Sequence, residues 1–246
     1  MLYWNGPTNS ADPLVNANVS FNNANITGTH IGVTCSNCWP FPNSRAYRAD
    51  VTGLVSAGQS SYPLDNLRKV RPGEPTPIID ADINGVSLLV FYDDGNTLNN
   101  KSIYITDGND SNLASEFDGA GWNFAMNGFT LPSGGSASLE LHVADGQAPD
   151  AQTLDDGEIQ LNGLTLFPNG RLFEGDTVPN AGTAASTLGG LWDIREIGIT
   201  QFLSPGMNNV TLTSQAPNGG VNGVDCIAIT VGVVIVSPPP PVTLFD

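Results

Sequence analysis

Acidic and amide side chains recur beside glycine in this sequence, a pattern that suits the binding of a hard cation. One group surrounds Gly95, and a second runs from Asp107 to Asn112. Ca²⁺ takes about six to eight oxygen ligands, and glycine lets the backbone bend so that carbonyl oxygens can join them. We therefore predict Ca²⁺ as a cofactor, with candidate ligands Asp93, Asp94, Asn96, Asp107, Asn109, Asp110, Asn112 and Asp118.

The calcium prediction has a simpler alternative. The second group has the spacing of an acidic loop, but Asp118 stands where an EF-hand would place its distal glutamate. Aspartate, asparagine and glycine also form turns without binding any ion. Either interpretation places these residues in loops between strands.

Three cysteines allow several kinds of chemistry. Cys35 and Cys38 form a C-x-x-C pair, and Cys226 lies far along the chain. One alternative is a disulfide, either within the pair or from this loop to Cys226. A zinc site would need further ligands from Cys226, His30 and His142. A redox motif would need a strand-to-helix junction, whereas Trp-Pro-Phe-Pro follows here; free thiols remain the last alternative.

No catalytic motif is present, so we predict that the protein is not an enzyme. The sequence contains neither the G-x-S-x-G of a serine hydrolase nor a glycine-rich phosphate loop, and only His30 and His142 could act as a general base. The alternative is a carbohydrate-binding or carbohydrate-cleaving module, which would use loop carboxylates and an exposed tryptophan such as Trp39. Its candidate acids, of which a cleaving enzyme needs two, are Glu140, Glu158, Glu174 and Glu196.

The charge balance excludes two classes of partner. The chain has 24 acidic and only 8 basic residues, for a net charge of −16. Such a chain cannot neutralise a phosphate backbone or bind an anionic membrane surface, so neither nucleic acid nor membrane is an expected partner. The longest apolar run, residues 226–236, is too short to span a bilayer.

Short apolar runs that alternate with polar residues predict an all-β fold. In residues 139–143 the leucines and Val143 share one face, while Glu140 and His142 point to the other, which we expect to be solvated. Trp122 and Trp192 are expected in the core. We predict an antiparallel, jelly-roll-like β-sandwich with strands at 15–21, 46–54, 86–92, 102–106, 122–129, 136–142, 158–161, 191–198, 208–213 and 225–236.

The chain divides into one predicted domain and a short tail. The sandwich covers residues 1–236, with 86–92 and 226–236 as central strands, and short helical turns are conceivable at 113–117 and 197–203. Residues 237–246 form a proline-rich spacer that ends in the strand-like segment Val242, Thr243, Leu244 and Phe245. This segment is predicted to mediate self-assembly.

Several sequence blocks resemble a family of secreted bacterial surface proteins known mainly as a domain of unknown function. The blocks are Leu-Tyr-Trp-Asn-Gly-Pro at 2–7, Ala-Tyr-Arg-Ala-Asp-Val-Thr at 46–52, Ser-Leu-Leu-Val-Phe-Tyr-Asp-Asp-Gly at 87–95, Thr-Asp-Gly at 106–108, Phe-Glu-Gly-Asp at 173–176, Leu-Trp-Asp-Ile at 191–194 and Asp-Cys-Ile at 225–227. The resemblance implies an extracellular jelly-roll-like sandwich of the adhesin type. It supplies no activity.

The resemblance also suggests how such a chain could assemble. The family pattern usually includes chain before residue 2, so the first strand looks short, and the tail at 242–246 looks like a spare strand. We therefore expect a calcium-stabilised protein that is extracellular or on the cell surface. Its expected partners are copies of itself, which could form a filament when each copy donates its terminal strand to the next. In the alternative interpretation as a carbohydrate module, the partners are glycans.

Overall fold

The computed structural model confirms an all-β protein built from antiparallel sheets. It describes residues 1–36, 39–71, 73, 78–119, 121–147, 155–177, 190–214 and 225–240. Four sheets lie in a stack, and we number them sheet 1 to sheet 4 in the order of the stack. Three hydrophobic clusters separate neighbouring sheets.

The first 88 residues supply sheets 1 and 2. Their strands are β1 (Leu2–Thr8), β2 (Asn18–Phe21), β3 (Ala24–Thr27), β4 (Thr29–Thr34), β5 (Asn43–Ala49), β6 (Leu64–Asp65), β7 (Lys69–Val70), β8 (Ile79–Ala81) and β9 (Gly85–Leu88). Sheet 1 has the order β3-β2-β6, and sheet 2 the order β4-β5-β1-β8-β7, with β9 also paired to β1.

The remaining strands form sheets 3 and 4. They are β10 (Ser102–Ser111), β11 (Trp122–Leu131), β12 (Ser136–Ala144), β13 (Ile159–Leu161), β14 (Leu164–Phe167), β15 (Trp192–Gly198), β16 (Gly206–Ser214) and β17 (Ala228–Ser237). Sheet 3 has the order β10-β17-β12-β15, and sheet 4 the order β11-β16-β13-β14. Eight antiparallel strands distributed over two four-stranded sheets in these orders form a jelly roll, which confirms the predicted fold class.

Helical structure is confined to three short 3-10 turns among the described residues: Thr52–Leu54, Thr97–Asn99 and Thr200–Phe202. The last lies within the turn expected at 197–203, whereas 113–117 is not helical. No helix in the described ranges is long and apolar enough to cross a membrane.

Strand β1 lies at the centre of the stack, and every one of its residues is buried. Alternation along the strand sends Leu2 and Trp4 towards sheet 1 and Tyr3 towards sheet 3. Trp4 stacks on Tyr47, and its indole nitrogen donates to the Asn16 carbonyl at 3.0 Å. One strand therefore contributes to two cores.

The largest core lies inside the jelly roll, between sheets 3 and 4. It includes Trp122, as expected, and Phe129, Leu139 and Leu212, each almost fully buried. Trp192, also expected in a core, is buried at the other face of sheet 3, against Gly85 of β9. Sheet 2 covers part of this second face, so it is not the solvated surface that the sequence predicts. His142 points there and is buried for this reason.

The strand expected at 86–92 differs most from prediction. Only Gly85–Leu88 forms β9, and the described residues place no strand on its outer side. Instead of a central strand it is an edge strand, followed by exposed chain. By contrast, β17 is central in sheet 3, between β10 and β12, as its apolar run predicts.

Candidate functional site

The first group of predicted calcium ligands lies in an exposed loop after β9. An Asp93 carboxylate oxygen accepts the Gly95 amide at 2.8 Å, and Asp94 accepts the Asn96 amide and the Asn99 side chain. These hydrogen bonds lower the pKa of Asp94 below its ordinary value. The geometry is that of a loop stabilised by its own side chains.

The second group is not a loop, and that prediction is wrong. Residues from Asp107 to Ser111 belong to β10, whose alternation sends successive side chains to opposite faces. Asp107 accepts hydrogen bonds from Arg48 at 2.6 Å and Tyr3 at 3.1 Å. The neighbouring Asn109 side chain accepts from that of Asn5 at 2.9 Å. Both residues hold the jelly roll against sheet 2.

Asp110 and Asp118 are the predicted ligands that the structure brings together. Asp110 accepts the Asn123 amide at 2.8 Å, but its other oxygen is buried with no hydrogen-bond partner. Burial, together with the carboxyl of Asp118, raises the pKa of Asp110 to about 7. Asn112 lies apart and bonds the backbone of Asp225 and Ile227, just before β17. The candidate set is therefore reduced to one acidic pair.

The sequence analysis missed a larger group of buried acids in or near the ends of strands. Asp145, Asp156, Asp193 and Asp225 are each at most 2% exposed. Asp156 accepts the amides of Leu172 and Phe173, and Asp225 accepts those of Gln147 and Cys226. Asp145 and Asp156 each precede a glycine and looked like turn residues, whereas Asp193 and Asp225 fall in the predicted strands 191–198 and 225–236. In neither setting does the sequence mark a buried carboxyl.

Burial, with a smaller contribution from neighbouring carboxylates, raises the pKa of Asp145, Asp156 and Asp225. Burial raises the pKa of Asp156 to about 7 and that of Asp225 to about 8, with a further rise from neighbouring carboxylates. Burial also raises the pKa of Asp145 well above its ordinary value. Its Oδ1 accepts the indole N–H of Trp39 at 2.6 Å, so Trp39 anchors its loop. Across the described parts of the chain, no three His, Cys, Asp or Glu side chains are arranged to hold a metal ion.

Ser87, His142 and Glu140 form a hydrogen-bonded relay between sheets 2 and 3. The Ser87 hydroxyl lies 2.7 Å from His142 Nδ1, and His142 Nε2 lies 3.0 Å from a Glu140 oxygen. Because a carboxylate only accepts, Nε2 carries a hydrogen, and in the neutral ring Nδ1 accepts from Ser87. Trp192 donates to the same hydroxyl at 2.8 Å. Ser87 is 3% exposed, so a substrate carbonyl cannot reach its hydroxyl. The hydrogen bonds of the relay instead join sheet 2 to sheet 3.

We predict that Ser87→Ala destabilises the protein by about 2–4 kcal/mol, because it leaves two buried polar groups, on Trp192 and His142, without their partner. Urea denaturation would measure the loss. Ser138→Ala is the matched control, since Ser138 bonds Glu196 at an exposed position. Equal stability of the two variants would show that the relay does not join the sheets.

The cysteines take two different states. Cys226 is disulfide-bonded, as one of the alternatives predicts. Cys35 carries a thiol whose sulfur lies 3.1 Å from the Ser111 hydroxyl. Cys38 lies outside the described residues, as does the predicted assembly segment Val242, Thr243, Leu244 and Phe245.

Strand β9 and the four residues after it form an uncharged edge at the boundary between sheets 2 and 3. Residues 85–92 read Gly-Val-Ser-Leu-Leu-Val-Phe-Tyr and contain no charged side chain. Val90 and Phe91 are each 50% exposed, and Tyr92 is 84% exposed. An unprotected apolar edge strand is a template for pairing with another chain. We call residues 85–92 the β9 edge.

Comparison with known proteins assigns the chain to no family. No family model and no curated protein matches the chain, so the resemblance to surface proteins remains a prediction. Two solved structures of infectious bursal disease virus are similar to it: the Gt strain, at 13% identity and a TM-score of 0.26, and the VP2 subviral particle, at 11% and 0.27. The alignments cover 96% of this chain but only 56% of the viral chains, and at these scores they carry no argument about fold or function.

Proposed function

We propose that the protein is a structural β-sandwich subunit of an extracellular or cell-surface assembly, in which it associates with copies of itself. The observation that carries this proposal is the β9 edge. Soluble proteins protect their edge strands with lysine, proline or a covering segment, whereas this edge ends in three exposed apolar side chains. Burying them against another copy removes apolar surface from water.

The chemistry of the polar residues supports a scaffold. The buried amide Asn5 bonds Asn109, and it also accepts from Ser44 and Asn84. The Ser87 relay is enclosed in the same way. Such groups hold sheets together and leave the exposed edge to meet other molecules.

Sedimentation velocity over a wide range of protein concentrations tests the proposal. We expect concentration-dependent association of the wild-type chain, and weaker association for Tyr92→Asp because the charge would be buried at the contact. Met207→Asp changes a side chain that is 78% exposed on β16 and serves as the matched control. A wild-type chain that stays monomeric throughout would refute self-association.

We also propose that Ca²⁺ stabilises the protein at Asp110 and Asp118. The ion would offset the repulsion between the two carboxylates, and it would bind the Asp110 oxygen that has no hydrogen-bond partner. Thermal melts at pH 7 should show a higher midpoint with Ca²⁺ than with EDTA, and Asp118→Asn should abolish the difference. Glu116→Gln, a nearby exposed change, should keep it. An equal Ca²⁺ effect in both variants would place the ion elsewhere.

One observation favours the carbohydrate module as a second candidate. Glu140 on β12 lies directly opposite Glu196 on β15, at the edge of sheet 3. Facing residues on paired strands have Cβ atoms about 5 Å apart, a spacing at which two carboxylates could act on one glycosidic bond. The hydrogen bond from His142 lowers the pKa of Glu140, which suits the ionised partner. Release of reducing sugar from common polysaccharides that Glu196→Gln abolishes would support this candidate.

A further inference from the structure

We propose that Arg45 and Tyr47 hold a chloride ion in an enclosed site between strand β5 and the loop that joins β1 to β2. The proposal does not depend on the self-association proposed above. It rests on a buried cation without a carboxylate partner and on two buried donors without acceptors, all within the described chain.

The loop between β1 and β2 covers one face of β5. Arg45 and Tyr47 occupy alternate positions of this strand, so both side chains point towards sheet 1. Arg45 Nη2 donates to the Ala11 carbonyl of the loop at 2.9 Å. Further along the loop, the Asn16 carbonyl accepts from the indole of Trp4, which stacks on Tyr47. The two β5 side chains therefore lie beneath this loop, where Arg45 is 6% and Tyr47 1% exposed.

Arg45 is a buried cation, and no ion pair among the described residues includes it. Its Nη1 lies 3.3 Å from His30 Nε2. Burial and the guanidinium lower the pKa of His30, so the ring is neutral at pH 7 and accepts this hydrogen bond. The nearby Asp12 is exposed and accepts the Leu14 amide of its own loop. A buried charge without an opposite charge is strongly unfavourable, so an anion at Arg45 would stabilise the fold.

Two donors at this place have no acceptor in the described chain. Arg45 Nε and the Tyr47 hydroxyl are both buried without a hydrogen-bond partner. His30 contacts both side chains, since its ring centroid lies 5.5 Å from that of Tyr47. The side-chain oxygen of Asn16 is also buried without a partner, and its amide can turn over to present N–H donors. Donors that surround one positive charge are the ligands that an anion requires.

The enclosure of the site decides the size of the anion. An ion that contacts both Arg45 Nε and the Tyr47 hydroxyl is surrounded by protein, because neither residue is more than 6% exposed. A sugar acid or a phosphate ester does not fit such a place, whereas a halide has one atom and accepts hydrogen bonds from any direction. Chloride would neutralise Arg45 and hold the loop between β1 and β2 against sheet 2.

Thermal melts in sodium salts of matched ionic strength, with EDTA present, test the site. The wild type should melt at a higher temperature in chloride than in gluconate, whose anion is too large to be enclosed, because a ligand of the folded state stabilises it. Tyr47→Phe keeps the ring stacked on Trp4 but removes a donor, and should raise the apparent Kd for chloride at least about tenfold. Tyr62→Phe is the matched control and should keep the chloride effect, since Tyr62 stacks on Phe21 and its hydroxyl bonds Ser56.

Crystals of the wild type soaked in sodium bromide test the position without depending on the stability of a variant. We expect anomalous density within hydrogen-bonding distance of Arg45 Nε and the Tyr47 hydroxyl. Crystals without density there, or equal wild-type midpoints in chloride and gluconate, would overturn the proposal. A chloride effect of the same size in the two tyrosine variants would also overturn it, because the ion would then lie elsewhere.

Discussion

In the presence of EDTA, the protein should melt at a lower temperature at pH 8 than at pH 5. Burial raises the pKa of Asp156 to about 7 and that of Asp225 to about 8. Between the ordinary aspartate pKa of 3.8 and these values, the folded chain holds protons that the unfolded chain has released. Stability therefore falls as pH rises through this window and levels off above it.

The expected effect is large because several acids act in the same direction. Between pH 5 and pH 8 each raised carboxyl accounts for about two to three pH units at about 1.4 kcal/mol per unit, a loss on the order of 3 kcal/mol. For a chain of this size we expect the melting midpoint to fall by about 10 °C or more. Differential scanning calorimetry at the two pH values would measure it.

Substitution by asparagine assigns the effect to particular residues. Asp156→Asn keeps a carbonyl oxygen that can accept the Leu172 and Phe173 amides but removes the proton equilibrium. The pH dependence of the midpoint should become shallower, and Asp225→Asn should act similarly. Glu116→Gln is an exposed control and should leave the dependence unchanged. A wild-type midpoint that rises from pH 5 to pH 8 would contradict the assignment.

Gly6→Ala should be among the most destabilising small changes in the chain. A Cβ at this position in β1 would lie 2.0 Å from the Asp82 carbonyl oxygen and 2.8 Å from the Ile83 Cα. Both contacts are with backbone, so β1 would have to move away from β8. Because β1 contributes to two cores, we expect a loss of at least about 3 kcal/mol or failure to accumulate as soluble protein.

Gly53→Ala is the matched control for this change. A Cβ there meets no atom within 4 Å. The same substitution should therefore leave stability unchanged or raise it by up to about 1 kcal/mol through the unfolded state. Urea denaturation of the two variants side by side would show the contrast, and equal stability would contradict the close approach of β1 and β8.

The alternation of apolar and polar residues was enough to predict the sandwich, because each strand with one buried face repeats an apolar residue at every second position. Leu139, Leu141 and Val143 face the jelly-roll core as expected. The same signal could not show that sheet 2 covers part of the opposite face of sheet 3. His142 consequently looked solvated and is buried. Whether the outer face of a sheet is covered depends on contacts between residues far apart in sequence, such as Ser87 and His142.

The acidic residues show a different limit of sequence reasoning. Aspartate and asparagine favour turns, so the run from Asp107 to Asn112 looked like a loop. Pairing with β17 and the bonds to Arg48 and Tyr3 outweigh that preference and keep it in β10 as far as Ser111. Conversely, Asp156 precedes Gly157 and Asp225 lies two residues after Gly223. Neither segment indicates burial in the sequence, yet both side chains are buried in the fold.

The pairing of β10 with β17 has a consequence for how the chain reaches its native state. Ser102 pairs with Val236, so the first strand of the jelly roll meets its neighbour only after residue 236 has been synthesised. Closing so long a loop is entropically costly, and pairings of this kind make folding slow. Until that moment the nascent protein exposes one flank of β10 to the cell, and a ribosome-bound chain released early would be prone to aggregation.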